Sequence, residues 1–85
     1  MLLNRNDTIP FMTSIEKSYE KLLAKIAKNM KRLRKEKGIS QPKMAQFGYD
    51  VRNYQKLEAG NHSPSLFTLH KLAICFDSAI EEFFK

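Results

Sequence analysis

The chain has 85 residues, of which 42% are hydrophobic and 28% are charged. This length and composition predict one globular domain, and they argue against a disordered chain or an enzyme with separate lobes. The single cysteine excludes an internal disulfide, and no apolar run approaches the roughly 18 residues of a membrane span. We therefore expect a cytoplasmic protein that does not enter the membrane.

The net charge of +6 favours an acidic partner such as nucleic acid or anionic lipid, and the positive charge is concentrated in one segment. Between Lys21 and Lys37 the chain carries eight basic residues against one acid, Glu36. On a helix, basic residues of this region and Lys17 would form a stripe along one face. They are Lys17, Lys21, Lys25, Lys28, Arg32 and Lys35. The stripe is interpreted as a solvated helix face or as a surface that attracts phosphate without sequence preference.

Apolar residues recur with the helical period of 3.6 throughout the chain, and no segment shows the strict alternation of a strand. The fold class is therefore predicted to be all-α. A capping-box pattern from Thr13 to Glu16 predicts the start of a first helix that runs to Gly38, although a break near Asn29 would divide it in two. Residues 1–12 are predicted to form a flexible arm. The apolar face of this helix comprises Ile15, Tyr19, Leu22, Ile26, Met30 and Leu33.

Two short helices are predicted next, separated by a turn at Gly48. Ser40 is the expected N-cap of the first of them. Asp50 is the expected N-cap of the other, which spans residues 51–58 and turns Tyr54 and Leu57 inward.

Two further helices complete the predicted architecture. Ser65 is the expected N-cap of a fourth helix, and Ser78 with Glu81 forms a second capping-box pattern for a short fifth helix. At least one of Phe83 and Phe84 is expected to complete the core. The predicted apolar face of the fourth helix is Leu66, Leu69, Leu72, Ala73 and Phe76.

Two short helices joined by a glycine turn in a basic chain are typical of helix-turn-helix geometry. An α-helix fits the major groove of B-DNA, which is about 12 Å wide and exposes a readable pattern of donors and acceptors. The organisation of the chain therefore favours recognition of double-stranded DNA.

Three segments carry a family resemblance: LRKEKGISQ at residues 33–41, YQKLEAG at 54–60 and SLFTLHKLA at 65–73. Together they resemble the phage-repressor/Cro-type (XRE-like) helix-turn-helix family across residues 26–84. The resemblance implies a compact five-helix lambda-repressor-like domain over residues 13–85, here with an extended first helix. It also implies a domain that is usually dimeric and places the helix at residues 50–58 in the major groove.

The resemblance, together with position on the helices, assigns roles to individual residues. Arg34 and Glu58 match a charged pair that locks the first helix to the third. The candidate base-contacting residues are Val51, Arg52, Gln55 and Lys56. The candidate phosphate-contacting residues are Gln41, Lys43, Asn53, Asn61 and His62. The alternative role of Val51 is packing against Tyr49. The alternatives for Lys56 are contact with a phosphate or simple exposure on the surface.

The chain departs from the family pattern in three places. One residue fewer separates Ala45 from Gly48, and a shortened second helix would change the orientation of the recognition helix. Asp77 stands where glycine is common, although aspartate tolerates the left-handed conformation better than most residues. The helix before Ile26 extends beyond the usual start of the family.

The leading functional prediction is a sequence-specific DNA-binding transcriptional regulator, of repressor or controller type, acting as a homodimer on a palindromic site. The alternative is a protein-interaction module such as an antitoxin, whose extended first helix binds a protein partner. The apolar residues before Ile26 are expected to form a dimer or partner surface, or to be covered by the chain folding back. No enzyme activity, cofactor or metal is expected, because no catalytic or phosphate-binding pattern is present, His62 lacks a second ligand and Cys75 is interpreted as a buried thiol.

Overall fold

The computed structural model describes the backbone of residues 5–85 and the side chains of residues 13–85. Over this range the chain forms three α-helices and two 3-10 helices and no strand, which confirms the all-α class. The elements in chain order are α1 (Arg5–Glu36), η1 (Pro42–Phe47), α2 (Val51–Glu58), α3 (Leu66–Cys75) and η2 (Ile80–Phe84), where η denotes a 3-10 helix.

The first helix is longer than predicted. It begins at Arg5 rather than at Thr13, so the predicted capping box lies inside a continuous helix, where the backbone amides already bond to carbonyls of the preceding turn. The backbone of residues 5–12 is therefore helical, and residues 1–4 of the predicted arm lie outside the described residues. No break occurs near Asn29, which is buried and donates from Nδ2 to the Phe83 carbonyl at 3.0 Å.

The hydrophobic core lies against the last third of α1. Every other helical element contributes to it, and the side chain of Phe83 from η2 is fully buried there. The last turns of α1 therefore serve as the central support on which the short helices pack. The buried apolar residues of this core are Ile26, Met30, Leu33, Met44, Tyr54, Leu69, Leu72, Ala73, Phe76 and Phe83.

The element η1 differs from prediction in its type and in its cap. By position its N-cap is Gln41, which makes no side-chain capping bond, whereas the expected cap, Ser40, accepts a hydrogen bond at Oγ from the Lys43 amide at 3.4 Å. A 3-10 helix rises about 2.0 Å per residue against about 1.5 Å for an α-helix, so six residues span what eight would in α form.

The helices α2 and α3 begin where their caps predicted. Asp50 Oδ1 accepts a hydrogen bond from the Asn53 amide at 2.9 Å, and Ser65 Oγ accepts one from the Thr68 amide at 3.0 Å. Each bond satisfies an amide of the first helical turn that has no intrahelical acceptor. Tyr54 of α2 is fully buried, as expected for its inward position.

Two predictions about the last two helices are wrong. Leu66 is 72% exposed at the first position of α3, and the buried face of this helix begins at Leu69. Ser78 does not cap η2: the N-cap is Ala79, and the Ser78 hydroxyl donates to the Ala79 carbonyl instead of bonding an amide of the helix. Because Ser78 is not the N-cap, Glu81 does not occupy the matching third position of a capping box either. Asp77 adopts a positive φ of 50° after α3, a left-handed conformation that glycine takes freely and that aspartate tolerates better than most residues.

The part of α1 before Ile26 projects away from the core, and we call residues 13–25 the stem. Its apolar residues Ile15, Tyr19 and Leu22, here called the stem stripe, are 47%, 45% and 40% exposed. The same helix face becomes buried from Ile26 onward. The fold-back alternative is therefore wrong for the described part of the chain, in which nothing covers the stem stripe.

Candidate nucleic-acid interface

A buried ion pair joins α1 to α2. Arg34 donates from Nε to Glu58 Oε2 at 2.8 Å and from Nη2 to Glu58 Oε1 at 2.7 Å. Its third nitrogen, Nη1, donates to the Ile39 carbonyl at 2.7 Å, which ties the pair to the segment before η1. This two-bond geometry fixes both the distance and the rotation between the two helices.

The surroundings of this pair keep both partners charged. Burial raises the pKa of the Glu58 carboxyl, but the hydrogen bonds and positive charge of Arg34, with smaller contributions from the Tyr54 hydroxyl and Gln41, hold the pKa below its ordinary value of 4.5. The carboxylate in turn raises the pKa of the Arg34 guanidinium. Both side chains are almost completely removed from solvent, so water screens their attraction weakly.

A chain of side-chain hydrogen bonds extends from this pair to the surface of α2. Gln41 Nε2 donates to Glu58 Oε1 at 3.1 Å, and Gln41 Oε1 accepts from Gln55 Nε2 at 3.2 Å. The two glutamines thus hold each other in fixed orientations at the outer edge of the helix pair. Sequence reasoning treated Gln41 and Gln55 separately, and only their matching amide chemistry could have suggested that they pair.

The candidate base-contacting residues lie on α2. Arg52, Gln55 and Lys56 are exposed, whereas Val51 at the first helical position is half-buried. Tyr54, Leu57 and Glu58 turn the opposite face of α2 toward the core. The structure therefore presents a polar, basic face of a helix that is held to the body by its other face.

The candidate phosphate-contacting residues flank that helix face. Lys43 lies exposed on η1, Asn53 lies exposed in the first turn of α2, and Asn61 and His62 lie exposed in the loop after it. Gln41 is half-buried and uses one of its side-chain N–H groups on Glu58, which leaves the other available. These residues come from three consecutive segments of the chain.

The loop after α2 is held close to α1. Gly60 has a φ of +77°, and a Cβ built on it would lie 3.7 Å from the Ala27 Cβ and 3.9 Å from the Ala24 Cα. The backbone amides of Gly60 and Asn61 donate to the Leu57 and Lys56 carbonyls, which closes the helix end. Two attachments, at Ala27 and at Arg34, therefore position α2 along α1.

Some of the basic residues of α1 are paired within the chain. Arg32 bonds to Glu36 and to Glu82, both at 3.2 Å, and Lys37 lies 3.3 Å from Asp77. These contacts are at least partly exposed, and such surface pairs contribute about 0–1 kcal/mol each. Arg32 thus lies against η2 and not on an open basic face. The exposed basic residues of the predicted stripe are Lys17, Lys21, Lys25, Lys28 and Lys35.

The described residues contain no cluster of three or more His, Cys, Asp or Glu side chains that could hold a metal ion. Cys75 is half-buried rather than fully buried, and burial raises the pKa of its thiol. No helix within the described part of the chain is long and apolar enough to cross a membrane.

Comparison with known proteins identifies one family. A family model described as helix-turn-helix matches residues 30–83, which is more than half of the chain and contains η1, α2, α3 and the buried pair. No curated protein and no solved structure matches the chain. The match begins at residue 30, after the end of the stem, so no part of the stem is matched.

Proposed function

The chain belongs to the XRE-like helix-turn-helix family of DNA-binding transcription regulators, and on that premise we propose that it acts as a repressor or controller of promoter DNA. In this proposal α2 enters the major groove, and a homodimer reads a palindromic site. The site of action is then the cytoplasm.

The observation that carries this proposal is the way α2 is presented. Its exposed face bears Arg52 and Lys56, and its opposite face is fixed by the buried pair of Arg34 and Glu58. An arginine can bond two acceptors of one guanine, which discriminates against other bases by about 1–3 kcal/mol. A fixed helix strengthens such discrimination, because the backbone at Arg52 then keeps one distance from the base edges.

The Gln41–Gln55 contact supports a second base-reading position. Its 3.2 Å bond orients the Gln55 amide, whose remaining donor and acceptor groups suit the N6 and N7 atoms of adenine. Lys43, Asn53, Asn61 and His62 would then contact phosphates on both sides of the groove, which sets the register of α2 without reading bases.

The decisive experiment is a titration of the purified protein, by fluorescence anisotropy, on duplex DNA from upstream of its own gene. A shuffled duplex of equal length is the control, and both are measured at several salt concentrations. We expect a preference of at least about 10³-fold, the low end for specific binders. Equal binding to the two duplexes with a steep dependence on salt would contradict sequence-specific regulation from that site.

Replacing Arg52 by alanine is expected to relax base preference at one position of the site. The loss corresponds to about 1–3 kcal/mol, or roughly 5- to 150-fold in discrimination at that base pair. Affinity for a panel of duplexes, each changed at one position, measures it. An Arg52→Ala protein with unchanged affinity and unchanged base preference would show that Arg52 is not a reading residue.

Replacing Lys43 by alanine is expected to weaken binding to every duplex equally. The slope of log affinity against log salt should fall by about one, because one phosphate contact is lost. Lys35→Ala is the matched control: Lys35 is also exposed but lies on α1 rather than on η1 or α2, and its loss should leave the slope nearly unchanged. Equal effects of the two changes would contradict a specific phosphate contact at Lys43.

A second candidate function is a protein-interaction module such as an antitoxin, with DNA binding serving autoregulation. The observation that favours it is the uncovered stem stripe. In that case a stable complex of one chain with a different protein should form through the stem, and its assembly should not require DNA.

A further inference from the structure

We propose that a surface formed by η1, the turn after it and α3 is a docking site for an acidic segment of another protein that carries large apolar side chains. We call this surface the α3 patch. The inference goes beyond the proposed function, because it adds a protein partner at residues that have no assigned contact with DNA. The α3 patch comprises Phe47, Tyr49, Phe67, Lys71 and Ile74.

Three large apolar side chains of the α3 patch are exposed together. Phe67 and Ile74 are each 68% exposed, and Phe47 is 45% exposed. Phe67, Lys71 and Ile74 share one face of α3, because they are separated by four and three residues. Single exposed apolar residues are normal on a protein surface, whereas a group of large ones is typical of an interaction site.

A groove in the α3 patch sets the size of the group that fits there. It has a volume of about 220 Å³ and is lined by Phe47, Tyr49, Lys71, Ile74 and Cys75. Sites for whole small molecules usually have about 300–1,000 Å³, so this groove is too small for such a ligand and suits a single side chain. Its apolar walls favour an apolar anchor, as in the pockets that hold the central residues of protein interfaces.

Two aromatic rings position the positive charge of the α3 patch. The Lys71 ammonium lies 5.0 Å from the centre of the Tyr49 ring and 5.5 Å from the centre of the Phe67 ring. Tyr49 in turn packs edge-on against the buried Tyr54, with ring centres 6.0 Å apart. A cation over aromatic faces is attracted to them, so the ammonium is held beside the groove and keeps N–H donors for a carboxylate.

The charges around the groove select an acidic occupant. The elements η1 and α3 contain no aspartate or glutamate, and they carry Lys43, His70 and Lys71. Among the residues whose side chains the structure describes, Lys71 has no partner in an ion pair. The stem also combines apolar side chains with lysines, but it carries Glu16 and Glu20 as well. Charge complementarity therefore favours an acidic segment at the α3 patch.

The occupant is expected to lie along α3. Phe67 and Ile74 are seven residues apart, which corresponds to about 10 Å of helix. A helical segment of two turns could contact both, place one apolar side chain in the groove and direct a carboxylate at Lys71 between them. Recognition of an amphipathic helix by a groove commonly uses apolar anchors at such spacings.

The probe for this site is a library of random peptides of about 12 residues, enough for three helical turns, displayed on phage and selected on the immobilised full-length chain. Peptides that share a carboxylate and large apolar residues should be enriched. One of them is then synthesised with a fluorophore, and its affinity for the chain is measured by anisotropy without DNA. Failure to enrich any peptide, or enrichment of peptides without acidic residues, would overturn the proposal.

The variants Ile74→Ala and Lys71→Glu should each weaken binding of this peptide about 10-fold or more, because each removes a central contact. Both positions are exposed, so cooperative thermal unfolding should be retained. The matched controls are Leu22→Ala and Lys25→Glu, which change an apolar residue and a lysine of the groove in the stem and should leave the affinity unchanged. Loss of binding in the controls but not in the first two variants would place the peptide on the stem and overturn the proposal.

An exchange of charges separates a direct contact from a structural effect. A peptide in which lysine replaces the carboxylate residue should bind the wild type weakly and should regain affinity for Lys71→Glu, because opposite charges then face each other again. A distorted fold would not restore binding to one peptide alone. No recovery of affinity would overturn the contact between the carboxylate and Lys71.

Cys75 reports occupation of the groove in the wild-type protein. It is the single cysteine of the chain and lines the groove, so saturating peptide should slow its alkylation by iodoacetamide. The lysine-substituted peptide at the same concentration should not slow it. Alkylation that is unchanged by saturating acidic peptide would overturn the placement of the anchor in this groove.

Two other occupants of the α3 patch are distinguished by the same variants. If Lys71→Glu weakened binding to duplex DNA but not to the peptide, the patch would be a nucleic-acid surface. If the wild type formed a dimer that Ile74→Ala dissociates, the patch would be a contact between copies of this chain. Either result would overturn the proposal, and neither depends on whether the chain prefers a particular DNA sequence.

Discussion

Replacing Glu58 by alanine is expected to lower the free energy of unfolding by on the order of 3–5 kcal/mol, because the change leaves the buried Arg34 charge without its partner. The guanidinium would keep only its bond to the Ile39 carbonyl among the contacts that now hold it. Domains of this size are stable by about 5–15 kcal/mol, so the loss is a large part of the total. Urea unfolding followed by circular dichroism measures it.

Two further variants separate the ion pair from other contributions. Glu36→Ala removes an exposed partner of Arg32 on the same helix and should cost less than about 1 kcal/mol. The double variant Arg34→Met with Glu58→Leu should recover much of the loss, since neither residue is then charged. A Glu58→Ala protein as stable as Glu36→Ala would show that the buried pair does not hold α2 in place.

The same pair gives the fold a defined response to acid. The pKa of Glu58 in the folded chain lies below its ordinary value of 4.5, because the hydrogen bonds and charge of Arg34, together with Tyr54 and Gln41, outweigh the effect of burial. Its stabilising contribution is therefore fully present above about pH 4.5 and is lost as the pH falls through the lowered value. Glu58→Gln should be less stable at neutral pH and should show a shallower loss of stability in acid.

The pair matters for function because the glutamine chain depends on it. Glu58 accepts the hydrogen bond that orients Gln41, and Gln41 accepts the bond that orients Gln55. A change at Glu58 would therefore alter the orientation of Gln41, and through Gln41 that of Gln55 on the surface of α2. Stability and base preference are expected to be linked at Gln55, whereas Arg52 has no such support from the core.

Local signals predicted those parts of the fold that local chemistry decides. Asp50 and Ser65 cap their helices because each needs only an amide two or three residues away. The cap at Ser78 and the capping box at Thr13 failed for tertiary reasons. Packing of Phe83 into the core draws η2 into a 3-10 turn that begins one residue later, and the helical residues before Thr13 leave no free amides to cap.

The candidate site could be predicted residue by residue but not as a connected unit. The family resemblance supplied Arg34 with Glu58, and the structure brings these two residues into contact across 24 positions of sequence. The Gln41–Gln55 bond depends on the angle between η1 and α2, which in turn depends on the 3-10 geometry of η1. Sequence periodicity carries no signal for a choice between an α-helix and a 3-10 helix over six residues.

Replacing Phe83 by alanine is expected to cost about 3–5 kcal/mol, because a fully buried aromatic side chain is removed from the centre of a small core. The Phe83 carbonyl, which accepts the bond from Asn29, is unchanged, so the loss reports the side chain alone.

Phe84→Ala is the matched control for this change. Phe84 is the adjacent phenylalanine and is 44% exposed, so its loss should cost less than about 1 kcal/mol. Chemical unfolding of the two variants side by side decides the point, since their sequences differ only in which phenylalanine is missing. Similar losses would contradict the central place of the Phe83 side chain in the core.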